Sequence, residues 1–178
     1  MPPKSGNRPK GDSVPSSRIS FTISQRLLHW SVALLVFFNL LLPDGMNAWH
    51  RIVRHGGTPS PEDVASANIH AYVGIAILAL AVLRVGVRLV QGVPSEPDQQ
   101  PALFGLVAKL AHVGLYGLIF IMPLTGVAAY YFGADAMGSL HADVLKIVLW
   151  VLIAGHAAGA LAQHFYWRTD VLRRMTIG

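Results

Sequence analysis

The sequence predicts an all-α integral membrane protein, an antiparallel bundle of four transmembrane helices. Three observations support this fold class. First, 53% of the residues are hydrophobic and only 13% are charged, whereas soluble domains are usually about a quarter charged. Second, the apolar residues cluster in four long windows. Third, the basic residues gather on one side of the topology that these windows define. A lipid bilayer is therefore the expected surrounding of the chain.

Four windows contain no Asp, Glu, Lys or Arg, and each is long enough, the first only just, to form a membrane-crossing helix. Such a helix needs about 20 apolar residues. With their flanks the windows predict spans near 25–43, 64–90, 104–132 and 140–167. The short links between them favour antiparallel neighbours. The windows are Leu27–Pro43, Val64–Leu83, Leu110–Ala134 and Ile147–Trp167, with 17, 20, 25 and 21 residues.

Local signals predict where the helices begin and end. Ser24 is the expected N-cap of the first helix, and Pro43 is expected to end it. Pro61-Glu62-Asp63 combines a first-turn proline with acids at the positive end of the helix dipole, so it predicts the start of the second helix. Pro123 predicts a kink in the third. The remaining links are Asp44–Asp63, Gln91–Gln100 and Asp135–Leu140.

Residues 1–20 are rich in Pro, Ser, Gly and basic side chains and show no periodicity. This composition predicts a disordered basic tail in front of a membrane domain at 21–178. The tail resembles the start of a signal peptide, but the apolar run after it ends in Pro43-Asp44-Gly45 rather than a small-residue cleavage site. An uncleaved first span is therefore expected.

Lysine and arginine predict the orientation of the bundle. Eleven of the 14 lie on one side, whereas Arg51 and Arg54 lie on the other and Lys146 lies inside the fourth helix toward that other side. The positive-inside rule then puts both termini in the cytoplasm. Because these residues flank membrane spans, the net charge of +5 does not indicate nucleic-acid binding. The eleven are Lys4, Arg8, Lys10, Arg18, Arg26, Arg84, Arg88, Lys109, Arg168, Arg173 and Arg174.

Five histidines fall at two depths of this topology. His70 and His141 open the second and fourth helices and form an outer layer. His29, His112 and His156 form an inner layer near the cytoplasmic side. Ionisable residues inside a membrane are rare and need partners. The chain has no cysteine, so it has no thiolate to bind an iron–sulfur cluster.

Two neutral imidazoles at one depth suit bis-histidine haem ligation, with one ring above and one below the macrocycle. His141 and His156 are 15 residues apart, which is about 22 Å of helix rise. Their net rotation of about 60° lets both face the bundle interior. The fourth helix then gives one ligand to a haem near each membrane surface. Small residues around His156 leave room for a macrocycle, although close helix packing favours the same residues.

The inner layer holds three histidines, and one haem takes two axial ligands. His112 is therefore either a rival ligand or a hydrogen-bonding or quinone-site residue. Arg84 is expected to pair with haem propionates, and a snorkelling pair of Arg84 with Arg88 is the alternative. Three histidines have no expected ligand role: His50 and His55 in the outer loop, and His164 at the membrane interface.

Four stretches, in order, resemble the bacterial diheme cytochrome b family of the cytochrome b-561 type, which is related to the membrane cytochrome subunits of hydrogenases and formate dehydrogenases. The resemblance covers all four spans and excludes the tail, and it implies the bacterial inner membrane as the location. The stretches are Leu28-His29-Trp30; Asn68-Ile69-His70 with Leu83-Arg84…Arg88-Leu89; Ala111-His112…Leu115-Tyr116…Pro123…Gly126; and Gly155-His156-Ala157-Ala158…Ala160-Leu161-Ala162…His164-Phe165 with Leu172-Arg173-Arg174-Met175.

The resemblance implies two haem b groups, one between His29 and His156 and one between His70 and His141, which leaves His112 as a non-ligand. One departure concerns the fourth helix. The two histidines there are 15 residues apart, one more than is usual in the family. A bulge or a loosely wound first turn is expected to absorb the additional residue.

The resemblance also implies a function. Members of this small form are associated with moving electrons between a periplasmic donor, including superoxide, and ubiquinone. An oxidoreductase of that type is the first hypothesis, and Arg51, Arg54 and Lys146 would attract an anionic donor to the outer side. A membrane anchor that exchanges electrons with a soluble dehydrogenase or hydrogenase subunit is the alternative. A haem-free bundle, such as a small transporter or scaffold, is the third hypothesis.

Overall fold

The computed structural model describes residues 20–94 and 102–177, and the regular structure of this part is entirely helical. Most of the predicted tail and of the 91–100 link lies outside these residues. A π-helical turn, Leu140–Leu145, joins α5 to α6 without a break. The α-helices are α1 (Ile23–Leu41), α2 (Asp44–Arg54), α3 (Pro61–Gln91), α4 (Ala102–Phe132), α5 (Asp135–Ser139), α6 (Lys146–Phe165) and α7 (Val171–Thr176).

Within residues 20–94 and 102–177, four helical segments are long and apolar enough to cross a membrane, which confirms the four predicted spans. They are Ile23–Leu41, Pro61–Gln91, Leu103–Phe132 and Asp135–Phe165. The fourth begins five residues earlier than the sequence predicts. The expected link at 135–140 is therefore wrong, because α5 and the π-helical turn already belong to the spanning helix.

Contacts between helix ends show that neighbouring spans run antiparallel. At the end of the bundle that holds the start of α1, the Thr22 hydroxyl donates to Gln91 at the end of α3 (2.5 Å). At the opposite end, Tyr130 of α4 donates to Asn68 of α3 (3.0 Å). Phe104 near the start of α4 packs on Trp167 just beyond α6, with ring centroids 4.7 Å apart. Close backbone packing accordingly joins α1 to α3, α3 to α4, and α4 to α6.

The helix starts partly match the sequence signals. Ser60 caps α3 and accepts from the Asp63 amide, and Pro61 is the first helical residue, as predicted. The predicted cap of α1 is wrong. Thr22, rather than Ser24, is the N-cap, and it forms a reciprocal capping box with Gln25. Ser24 lies in the first turn instead, where its hydroxyl donates to Gln91.

The core lies in the middle of the bundle, where all four spans contribute apolar side chains. It is small, because most large apolar residues remain exposed on the isolated chain, as expected for helices that face lipid. Ala67 of α3 is fully buried and brings its neighbours close. The buried cluster consists of Val32, Val36, Ile77, Leu118 and Leu149.

The predicted outer loop contains a helix, α2, which corrects the reading of Asp44–Asp63 as a plain link. This helix packs along α3. A Cβ added at Gly45 would lie 2.6 Å from Cβ of Ser66, so the two backbones approach closely at this glycine. Trp49 packs edge-on against Tyr130, with centroids 4.7 Å apart. α2 therefore lies against the ends of α3 and α4 nearest the outer histidines.

Candidate functional site

The two histidines of the outer layer face each other across the bundle. The ring centroids of His70, on α3, and His141, in the π-helical turn, are 6.1 Å apart with an interplanar angle of 75°. Both side chains are partly buried. The structure thus confirms that these two residues share one depth.

His141 is held by three features of α4. Its Nδ1 lies 2.9 Å from the Met122 carbonyl and 3.3 Å from the Thr125 hydroxyl. A carbonyl only accepts, so Nδ1 carries the proton and Nε2 keeps its lone pair for a ligand. A Cβ at Gly126 would lie 3.1 Å from Cε1 of His141, so the glycine makes room for the ring. This is the arrangement expected around a metal-binding histidine.

The π-helical turn accounts for the spacing of the histidines in the fourth span. One such turn accommodates a single additional residue without ending the helix. His141 lies in this turn and His156 lies in the regular helix α6. The expected bulge or loose turn is therefore confirmed, and both rings face the bundle despite their separation of 15 residues.

Asn39 of α1 contacts the outer layer at His70, whereas α4 contacts it at His141. Its Nδ2 donates to the backbone carbonyl of His70 at 3.1 Å. Its Oδ1 is buried and has no hydrogen-bond partner among the described residues, and the same is true of Nδ1 of His70. Gly74, one turn further along α3, approaches the same amide, since a Cβ there would be 3.9 Å from Nδ2.

The inner layer brings three histidine rings together, as the sequence predicts. The centroids of His29 and His156 are 6.2 Å apart at 63°. His112 lies closer to His156, at 5.1 Å. Nδ1 of His29 is buried, and no group in the part of the chain that the structure describes forms a hydrogen bond with it.

Two arginines lie next to the inner layer. Arg84 interacts electrostatically with both His29 and His156. Its guanidinium lies over the Tyr116 ring, 5.4 Å from the centroid, and that of Arg88 lies 5.7 Å from the same centroid. Both arginines and Tyr116 line a small pocket. Its lining residues are Phe21, Gln25, Arg84, Arg88, Val93, Tyr116 and Met175.

These distances fit iron held between two imidazoles. An imidazole nitrogen binds a metal at about 2 Å, so two rings on opposite sides of one ion have centroids roughly 6 Å apart. The 6.1 and 6.2 Å pairs satisfy this condition, and the 5.1 Å pair is too close. Within the described part, α6 packs closely on α4 but has little backbone contact with α1 or α3. The paired histidines therefore connect helices whose backbones are not closely packed on each other.

The other sequence-selected histidines lie outside both pairs. His50 is on the exposed side of α2 rather than in a loop, and His55 caps the end of this helix, with Nδ1 2.7 Å from the Arg51 carbonyl. His164 is exposed near the end of α6, beside Phe165. Lys146 begins α6 and interacts electrostatically with His141.

Sequence reasoning missed several residues that orient the histidines. Asn39 and Thr125 have no role in the sequence-based prediction, and Gly126 and Tyr116 occur there only as parts of a matching stretch. A polar side chain inside an apolar span is the signal that points to Asn39 and Thr125. No sequence signal points to the Met122 carbonyl, because every residue carries one.

A membrane helix bundle in which imidazole pairs connect the helices has the architecture of a membrane-embedded b-type cytochrome. The comparison with protein families agrees with this class. Residues 20–178 match the family model described as prokaryotic cytochrome b561, and the chain belongs to that family.

Two relatives are similar along most of their length. Cytochrome b562 of Cereibacter sphaeroides is 30% identical over 159 residues, which cover 87% of this chain and 94% of the relative. A protein named probable superoxide oxidase CybB, from Yersinia pestis, is 29% identical over 170 residues, which cover 83% of this chain and 90% of the relative.

Family membership establishes the general role of the chain. It is a multi-pass protein of the bacterial inner membrane, and it is a cytochrome b that takes part in electron transfer. Haem b is its cofactor.

Proposed function

We propose that the chain is a diheme cytochrome that carries electrons between a donor on the outer side of the membrane and ubiquinone. The observation that carries this proposal is the presence of two histidine pairs, at 6.1 and 6.2 Å, at opposite ends of one bundle. Haem iron supplies the one-electron redox chemistry, and the protein supplies ligands, orientation and electrostatics.

In this proposal His70 and His141 are the axial ligands of the outer haem, and His29 and His156 are those of the inner haem. The choice of His29 over His112 rests on the shorter distance of the His112–His156 pair. Arg84 lies at the inner site and is suited to pair with a propionate, because a guanidinium matches carboxylate geometry.

The donor is proposed to be an anion such as superoxide, the substrate that the name of the Yersinia pestis relative indicates for that protein. Arg51 and Arg54 are exposed on α2, and Lys146 lies near His141. These three positive charges lie at the end of the bundle that holds the outer pair, where they would raise the local concentration of an anion.

Single-ligand variants test the proposed haem sites. His70→Ala and His141→Ala are each expected to remove the same one of two haems, and His29→Ala and His156→Ala to remove the other. Haem content and the reduced-minus-oxidised spectrum of purified protein measure this. His50→Ala and His164→Ala are matched controls at exposed positions and keep both haems. A variant pair that removes different haems would contradict the proposed pairing.

The activity has its own test. Purified protein in detergent with a short-chain ubiquinone is expected to reduce the quinone when superoxide is generated in the solution, without any other subunit. His70→Ala is expected to abolish this rate. If the purified chain is inactive and regains activity only with a co-purifying soluble subunit, the role is that of a membrane anchor instead.

A further inference from the structure

Asn39 is a polar residue near the end of the apolar helix α1. Of the two polar atoms of its side-chain amide, the nitrogen forms a hydrogen bond within the described residues and the oxygen does not. Its Nδ2 donates to the His70 carbonyl at 3.1 Å. Its Oδ1 is buried and accepts no hydrogen bond from residues 20–94 and 102–177. A buried acceptor without a partner is destabilising, so a group that bonds to this oxygen is expected in the working protein.

The histidine bonded to Asn39 has a complementary need. Nδ1 of His70 is also buried and has no hydrogen-bond partner in the described part of the chain. When the other nitrogen of a histidine binds a metal, the second one is an N–H and almost always donates to a carbonyl, a carboxylate or water. In the same layer, Nδ1 of His141 already has such an acceptor in the Met122 carbonyl.

The two unsatisfied groups belong to residues that already share a hydrogen bond, from the Asn39 amide to the His70 backbone carbonyl. One is a ring nitrogen that must donate once Nε2 binds iron, and the other is an amide oxygen that can only accept. The bond requires the Asn39 side chain to turn until its Oδ1 reaches Nδ1 of His70, either directly or through a single bound water.

We propose that Asn39 is a positioning residue of the outer haem site, which accepts the ring N–H of His70 through its side-chain oxygen and fixes the orientation and basicity of that ligand. This inference rests on the proposed function, because it requires a haem between His70 and His141. Such an acceptor makes the imidazole a stronger base, which favours the oxidised iron. Asn39 therefore lowers the potential of the outer haem.

Potentiometric titration of the purified diheme protein tests this inference. The outer component is the one that is absent from His70→Ala. Asn39→Leu removes the acceptor at similar volume and is expected to shift the oxidation equilibrium of the outer component at least threefold toward the reduced form. A tenfold shift corresponds to about 59 mV for one electron. Asn39→Asp offers a stronger acceptor and is expected to shift it in the opposite direction.

Controls separate this effect from packing. Gly74→Ala adds a methyl group at an ordinary contact distance from the same amide and is expected to leave both components unchanged. Three results would overturn the role of Asn39. The potentials of both haems could shift equally, the potential of the outer haem could shift in the same direction in Asn39→Leu and Asn39→Asp, or it could stay unchanged in both variants. Wild-type protein that lacks the outer haem would instead overturn the proposed function, so the two failures are distinguishable.

Discussion

At the scale of single residues, the ring of His141 is held by α4 from three directions. The Met122 carbonyl and the Thr125 hydroxyl contact Nδ1, and Gly126 provides the space for the ring. Thr125 is itself fixed, because its hydroxyl lies 2.9 Å from the carbonyls of Ile121 and Met122. The orientation of this proposed ligand is thus determined by a neighbouring helix rather than by its own backbone.

Replacing Gly126 by valine is expected to weaken binding of the outer haem about 10-fold or more, the usual effect of disturbing a group that orients a metal ligand. Even a Cβ would lie 3.1 Å from Cε1 and 3.3 Å from Nδ1 of His141, so the ring must leave its place. Haem content after purification measures the loss. Gly86→Ala is the control, because its Cβ meets no atom within 4 Å. Unchanged haem content in Gly126→Val would show that the ring has another stable position.

His112→Ala is expected to retain both haems. The ring of His112 lies 5.1 Å from that of His156, which is too close for two ligands on opposite sides of one iron. Quantification of haem per chain, side by side with His29→Ala, measures this. If His112→Ala loses a haem and His29→Ala does not, His112 is the inner ligand and the pairing proposed above is wrong.

At the scale of helices, the fourth span has two kinds of winding. Its first part contains the π-helical turn with His141, and its second part is the regular helix with His156. A π-helical turn rotates the part of the helix before it about the helix axis, relative to the part after it. The turn thereby sets the angle between the two proposed ligands of this span.

A change of one residue in the fourth span tests the role of the π-helical turn. Deleting Ala142 is expected to convert the turn into regular helix and to keep both haems, because the additional residue is the one the turn absorbs. Inserting one alanine between Trp150 and Val151 is expected to rotate His141 away by about 100° and to remove the outer haem. The haem spectrum distinguishes the variants. Loss of the outer haem on deletion but not on insertion would contradict this role.

The spans and the two histidine layers could be predicted from the sequence, because hydropathy and helix periodicity are local and strong in apolar segments. The identity of α2 was missed, although Met46, Trp49, Ile52 and Val53 recur at helical spacing. Such a short amphipathic helix is stable only where another element covers its apolar side. In this protein α3 and Tyr130 provide that cover, and the sequence does not show that contact.

At the scale of the whole molecule, the charge distribution predicts how the bundle lies in the membrane. Basic residues flank one end, whereas Arg51 and Arg54 on α2 lie at the other. Each cation that faces the cytoplasm favours retention there during insertion. The outer histidine pair is then on the periplasmic side, where a donor outside the cell membrane can reach it.

Reporter fusions measure this orientation. Green fluorescent protein fused after residue 178 is expected to fluoresce, because the positive-inside rule puts the C-terminus in the cytoplasm, and alkaline phosphatase at the same position is expected to be inactive. A phosphatase inserted in the exposed turn at Gly56-Gly57 is the matched control and is expected to be active. The reverse pattern would place the outer pair in the cytoplasm and would rule out a periplasmic donor.

The central claim is that one bundle holds two haems, with α6 and the π-helical turn giving one ligand to each. The most direct measurement is the haem b content of the purified wild-type chain, determined by the pyridine haemochrome method against protein concentration from amino-acid analysis. Two haem b groups per chain are expected, together with a b-type α-band in the reduced spectrum. One haem per chain would eliminate one of the two proposed sites, and a chain without a b-type α-band would contradict both.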